Sequence, residues 1–220
     1  MLIPTFSLDR MPFIMWILYS LYHKSDNFNI PIIIDSPLAI NLLNCYKEIM
    51  PEHQKKEFIK MLEWKNFKYV SDPEESKYWV GHNGSKIICA SSGMLTAGRS
   101  VRWVQSILPN ENDCILFIGY ATNNTLAYKI KNYTQQQTIN IMGKPYKNKC
   151  QIVDLHSFSS HMQRVHLLDY YSSINCSAIY LVHSEEHDRI IFKKDLESEC
   201  SKNCRTTKII CANQSTKISL

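Results

Sequence analysis

Two histidines stand where the chain leaves a strongly apolar run: His161 in "DLHSFSSHMQR" and His183 in "IYLVHSEEH". Small polar residues flank both, as they do where a backbone turns out of a sheet. An imidazole can pass a proton near neutral pH or, when neutral, ligate a metal ion, so the pair points to hydrolytic metal chemistry. A catalytic zinc needs several ligands, and the other histidines are scattered. His156, His161 and His166 are five apart, which rotates successive side chains off a shared helical face. "HSEEH" from His183 to His187 also fits the H-x-x-E-H of zinc peptidases. That pattern requires both histidines on one helix, whereas His183 directly ends the strand-like "AIYLV". Cys200, Cys204 and Cys211 could supply thiolates, but their spacing fits no common zinc motif.

A second set of residues could hold phosphate. The turns "DSPLA", "ASSGM" and "GYATNNT" are rich in hydroxyls, amides and glycine. Such groups bind phosphate oxygens at helix N-termini. They single out Ser36, Ser92, Gly93 and Thr125, with Arg99 as a charged partner for phosphate. Each turn alone is equally a helix cap, and Arg99 with Arg102 could line a solvated helix face. Trp64, Trp79 and Trp103 are available for base stacking, although tryptophans in a chain of this size favour the core.

The elements that must position these residues repeat. A β-branched or otherwise continuous apolar run ends in a polar turn and a helix follows, at "MLIPTF", "IPIIIDSPLAI", "SKIICASSGML" and "DCILFIGYATNNT". Continuous rather than alternating runs predict strands buried on both faces. Four strand–turn–helix units predict an α/β fold, a parallel sheet flanked by helices, with function at the carboxyl ends of its strands. A helix is predicted from about Asp9 to His23. Its "MPFIMWILYSLY" is too short to cross a bilayer comfortably and no cleavage site follows, so it reads as buried. After about Gln135 the texture becomes β-rich, with strands in "QTINIMG", "KCQIVDLHSF" and "SAIYLVHSEEH" and two more in "TTKIICANQSTKISL". Helices are predicted from about His161 to Tyr171 and from Glu186 to Glu199. Two regions follow, 1–135 and 136–220.

With 220 residues, 45% hydrophobic and 20% charged, the composition is that of a folded globular protein. A net charge of +5 fits a chain that meets phosphates without requiring it. Eight cysteines, several inside apolar runs, predict buried thiols in a reducing, cytoplasmic setting, or a nuclear one in a eukaryote.

The succession "IPTFSLDR", "IPIIIDSPLAI", "DPEESKYW", "KIICASSGMLTAGR", "ILFIGYATNNTL", "DLHSFSSHMQ" and "YLVHSEE" resembles the β-CASP branch of the metallo-β-lactamase superfamily, which comprises RNA-processing nucleases. The resemblance implies that residues 1–135 form the β-CASP domain. It implies that 136–220 form the RNA-specificity segment, which would complete a metallo-β-lactamase αββα sandwich. It further implies that His161 is the proton-donating histidine near the scissile phosphate and His183 a ligand of catalytic zinc. The family's His-x-His-x-Asp-His motif occurs nowhere in the sequence, so only one zinc ligand is present. The expectation is therefore a C-terminal half of a zinc-dependent ribonuclease, inactive alone. Its partners would be RNA and a metallo-β-lactamase half, or an intact relative with which it dimerises as a non-catalytic RNA-binding module. Removal of the hydrolase half predicts an apolar surface around 136–220. The family's "SAHAD", "HGE" and "GTLG" read "SSHMQ", "HSE" and "NTLA" here, so Met162, Gln163, Ser184, Asn124 and Ala127 depart from the pattern.

Overall fold

A computed structural model of the protein describes residues 1–132, 136–158, 161–213 and 216. They group into two compact units, Met1–Ser159 and Ser160–Leu220.

The first unit is built on a six-stranded sheet in which every pairing is parallel. Its strands are β1 (Leu2–Pro4), β2 (Ile32–Asp35), β3 (Phe67–Tyr69), β4 (Ile87–Ala90), β5 (Cys114–Phe117) and β8 (Gln151–Asp154), in the order β3-β2-β4-β1-β5-β8. The interior strands β2, β4 and β1 are buried at every position and β5 at alternate ones, whereas the edge strands β3 and β8 expose Lys68 and Gln151. A parallel sheet covered on both faces demands this pattern. Ile32 and Ile34 pack on one face with Met15, Phe58 and Cys89; Ile33 and Ile88 pack on the other with Trp103 and Val104.

Helices α1 (Arg10–Tyr22), α2 (Pro37–Ile49) and α3 (Glu52–Leu62) cover the first face; α4 (Pro73–Gly81), α5 (Arg99–Ile107) and α6 (Leu126–Asn132) cover the second. In α1 the buried residues Met11, Ile14, Met15, Leu18 and Tyr19 recur at helical spacing, so the apolar "MPFIMWILYSLY" is a helix laid on the sheet. Ser36 and Asp72 cap α2 and α4, each with proline at the first helical position. Between α6 and β8 lies an antiparallel hairpin, β6 (Thr138–Ile141) and β7 (Lys144–Lys147).

The α/β class and the parallel sheet flanked by helices are as the sequence predicts. Four expected strand–helix units are present, and β3 with α4 adds a fifth. β7 is likewise absent from the pattern the sequence predicts. Both strands are short and, with Lys68, Lys144, Pro145 and Lys147, carry no continuous apolar run. β8, expected in the β-rich part, pairs with β5 in the main sheet.

The second unit is α7 (Arg164–Ser173), β9 (Ala178–Leu181), α8 (Glu186–Lys202) and β10 (Lys208–Cys211). β9 and β10 pair in parallel across α8, a small βαβ unit with Leu196, Cys200 and Ile209 at its centre. Of the two strands expected after Thr206, β10 is one; the other falls largely outside the described residues. Every residue of β9 is only half buried, and Met162, Val165, Val182, Ile190 and Ile191 are exposed.

Candidate functional site

The order of the strands creates the site. From β1 the chain moves outward to β2 and β3, then returns through β4 to β5, so the connections leaving the neighbours β1 and β4 diverge. A crevice opens at such a switch point, outside the carboxyl ends of the strands. The loops after β1, β2 and β4 meet there. Thr5 N–H donates to Ala90 O at 2.9 Å. The hydroxyls of Ser7, Ser36 and Ser91 form a row, 3.0 Å from Ser7 to Ser36 and 2.7 Å from Ser36 to Ser91. Ser36 also accepts from Ala39 N–H and is completely buried, so it caps α2 and offers no surface to a ligand.

Beneath this row lies Asp35, also completely buried. A carboxylate in such a place must be matched by donors or a cation. It receives Arg99 Nη1 at 2.7 Å, Ser76 Oγ at 2.6 Å and Trp103 Nε1 at 2.8 Å. Arg99 donates further to the carbonyls of Ser71 and Asp72, and its side chain is 15% exposed. Arg99 is thus tied to Asp35 rather than standing on a solvated face. The sequence points to Arg99 but not to its partner Asp35. The signal for Asp35 was an acid closing the run "IIID", where an unmatched charge is untenable.

The other candidates are more open. Ser92 Oγ accepts from Thr96 N–H at 3.0 Å, and its carbonyl accepts from Ser100 Oγ at 2.9 Å. Gly93 lies against Phe6; a Cβ there would stand 3.2 Å from the ring and from the Phe6 nitrogen. Thr125 donates to Thr122 O and accepts from Tyr128 N–H, capping α6. A cavity of about 540 Å³ joins Thr125 to Thr96, Gly98, Lys129 and Asn140. Trp103 is buried, and Trp64 and Trp79 are half buried against the core, Trp64 5.8 Å from Phe28. The aromatics with open faces near the edge are instead Phe6 and Tyr120.

In the second unit His161 is exposed just ahead of α7, and His183 is exposed in the turn after β9 with φ 60°. Met162, next to His161 in the chain, and His183 itself line one cavity of about 570 Å³, together with Arg164, Ser184 and Asp188. His183 lies outside α8, whereas His187 is in its first turn, so the two do not share a helical face. Of the altered glycine turns, Asn124 takes φ 71°, a region asparagine tolerates; Ser184 does not adopt positive φ. Cys200 is buried with Leu196 and Ile209, while Cys204 is exposed. Among the described residues no three His, Cys, Asp or Glu side chains are placed together to hold a metal ion.

Residues 13–130 match the family model described as Beta-Casp domain, and residues 145–206 match the Zn-dependent metallo-hydrolase RNA specificity domain. Ribonuclease TTHA0252 of Thermus thermophilus is 27% identical over 199 residues, 88% of this chain and 45% of that protein. Transcription termination factor FttA of Methanocaldococcus jannaschii is 28% identical over 84% of this chain and 31% of its own length. Endoribonuclease YSH1 of Candida glabrata is 29% identical over 84% of this chain and 25% of its own length. The chain thus spans less than half the length of these relatives. It belongs to the β-CASP family of the metallo-β-lactamase superfamily and comprises that family's β-CASP domain and the RNA-specificity segment that follows it.

Proposed function

We propose that this chain is the RNA-holding part of a zinc-dependent RNA phosphodiester hydrolase. The observation that carries the reading is the meeting of the loops after β1, β2 and β4 at the switch point of the sheet. On this reading Ser92, Gly93 and Thr125 present hydroxyls and backbone N–H groups to phosphate oxygens. Ser36, Asp35 and Arg99 hold that edge in shape. His161 donates a proton to the departing oxygen, and His183 presents one imidazole nitrogen to zinc. His183 lines a cavity of about 570 Å³ that Met162, the residue after His161, also lines. A metallo-β-lactamase fold, on the same polypeptide or another, supplies the remaining ligands. The open apolar residues Val182, Ile190 and Ile191 suit such a partner.

The test is an RNA cleavage assay with the purified chain, repeated after addition of a separately expressed metallo-β-lactamase domain from a relative. The chain alone binds single-stranded RNA and leaves it intact; cleavage appears in the mixture and is lost with His161→Ala or His183→Ala. Cleavage by the chain alone, or failure to bind RNA, contradicts the proposal.

A further inference from the structure

We propose that α6 and the β6–β7 hairpin form a second RNA-binding surface, a lysine rail for the sugar-phosphate backbone of a single strand leaving the carboxyl edge. It rests on the RNA-binding reading above and extends it to residues outside the edge loops.

The first observation is charge. Between Asp113 and Asp154 the sequence contains no acidic residue, but it contains Lys129, Lys131, Lys144, Lys147 and Lys149. These five lysines equal the net charge of +5, so the rest of the chain is balanced. The structure divides them by task. Lys131 pairs with Asp154 at 2.8 Å and donates to Gly119 O, and Lys149 pairs with Glu111 at 3.3 Å. Lys129, Lys144 and Lys147 are exposed, and among the described residues no carboxylate pairs with them. They are the cations left available to an anion from solution.

The second observation is rigidity. Ile139 and Ile141 point into the core beside Ala127 and Ile130, which anchors the hairpin to α6. The opposite face displays the cross-strand pairs Thr138–Lys147 and Asn140–Pro145, while Lys144, across from Ile141, is exposed next to the hairpin tip. The cavity of about 540 Å³ runs between the hairpin tip, the start of α6 and the loop from Thr96 to Gly98, so Lys129 and Asn140 share it with Thr125, and Lys144 and Lys147 extend the surface along the hairpin.

The third observation selects RNA over an acidic protein. Tyr120 is 65% exposed, and Tyr128 is exposed beside Lys129 on α6. Exposed aromatic rings on the same segment of chain as the lysines suit unstacked bases and their phosphates, and the Thr96, Thr125 and Asn140 side chains suit phosphate and 2′-hydroxyl groups. An acidic peptide would use the lysines and leave the ring faces idle.

Binding of a fluorescein-labelled single-stranded oligouridylate is measured by anisotropy over a salt series, for the wild-type chain and for K129Q/K144Q/K147Q. Each backbone contact on a single strand contributes about 0.7 to the slope of log K against log salt. The triple variant therefore shows a slope shallower by about 2 and binding weaker by about tenfold at low salt. Tyr120→Ala weakens binding with the slope unchanged. Ultraviolet cross-linking of the wild-type chain places adducts on Tyr120 or Tyr128. A triple variant with wild-type affinity and slope, or cross-links confined to residues outside 114–153, overturns the inference and leaves the RNA reading intact. Polyglutamate competing as well as RNA of equal charge also overturns it, in favour of an acidic protein partner. Failure of the wild-type chain to bind RNA overturns both.

Discussion

The residue that most constrains the site is Asp35, whose two oxygens hold three elements together through Arg99, Ser76 and Trp103. Removing one partner of a buried ion pair leaves the other charge uncompensated, at a cost of about 3–5 kcal/mol. Asp35→Ala is expected to lose stability of that order in urea unfolding, and a loss below about 1 kcal/mol contradicts the role. The buried thiols offer a second prediction. Burial pushes Cys89 and Cys150 up to about 12, against about 8.5 for a free thiol. Their contribution to stability is complete below the unfolded value. As pH rises above it the unfolded chain releases protons that the folded chain keeps, so stability falls. The melting temperature should drop between pH 8 and pH 10, and drop less in a variant with both cysteines replaced by alanine. Exposed Cys45 and Cys204 should react first with a thiol reagent in the native protein. A thiol's burial could be anticipated from its apolar run, as in "KIICASS". The pairing of Arg99 with Asp35 could not, because the two lie far apart in sequence and meet only when α5 packs over β2.

At the scale of elements, the loop from Ala90 to Arg99 depends on one backbone geometry. Gly98 has φ +84°, and a Cβ there would stand 2.8 Å from Ser91 O, a backbone atom that cannot move freely. Gly98→Ala combines that clash with left-handed strain, so a loss of about 1–3 kcal/mol is expected, with weaker RNA binding because Ser92 is displaced. Gly119→Ala meets no atom within 4 Å and serves as the neutral comparison; equal melting temperatures for the two variants would contradict the account. The central strands were legible from sequence because burial on both faces of a parallel sheet writes an unbroken apolar run. β3 and β7 were not, since an edge strand and a hairpin arm expose one side and tolerate lysine. The turns were legible as polar edges. Their division into cap and open surface depended on depth: Ser36, the middle hydroxyl of the row, is completely buried, while Ser92 is half exposed.

For the whole molecule, two features bear on zinc. His183 is exposed beside a cavity with Arg164 and Asp188, and among the described residues no trio of ligands surrounds it. The second unit has a small core and leaves Val182, Ile190 and Ile191 open, as expected of a surface made to be covered. The family was legible from motif order. The sequence places a division at 135/136, whereas the compact units part between Ser159 and Ser160. The central claim is that this chain gives RNA-holding loops and one histidine to a zinc site completed by other ligands. It is tested most directly by zinc per chain, measured by elemental analysis of the purified protein after dialysis. The account predicts a value near zero that rises when a metallo-β-lactamase domain is added and falls again in His183→Ala. A value near one or two for the chain alone would contradict it.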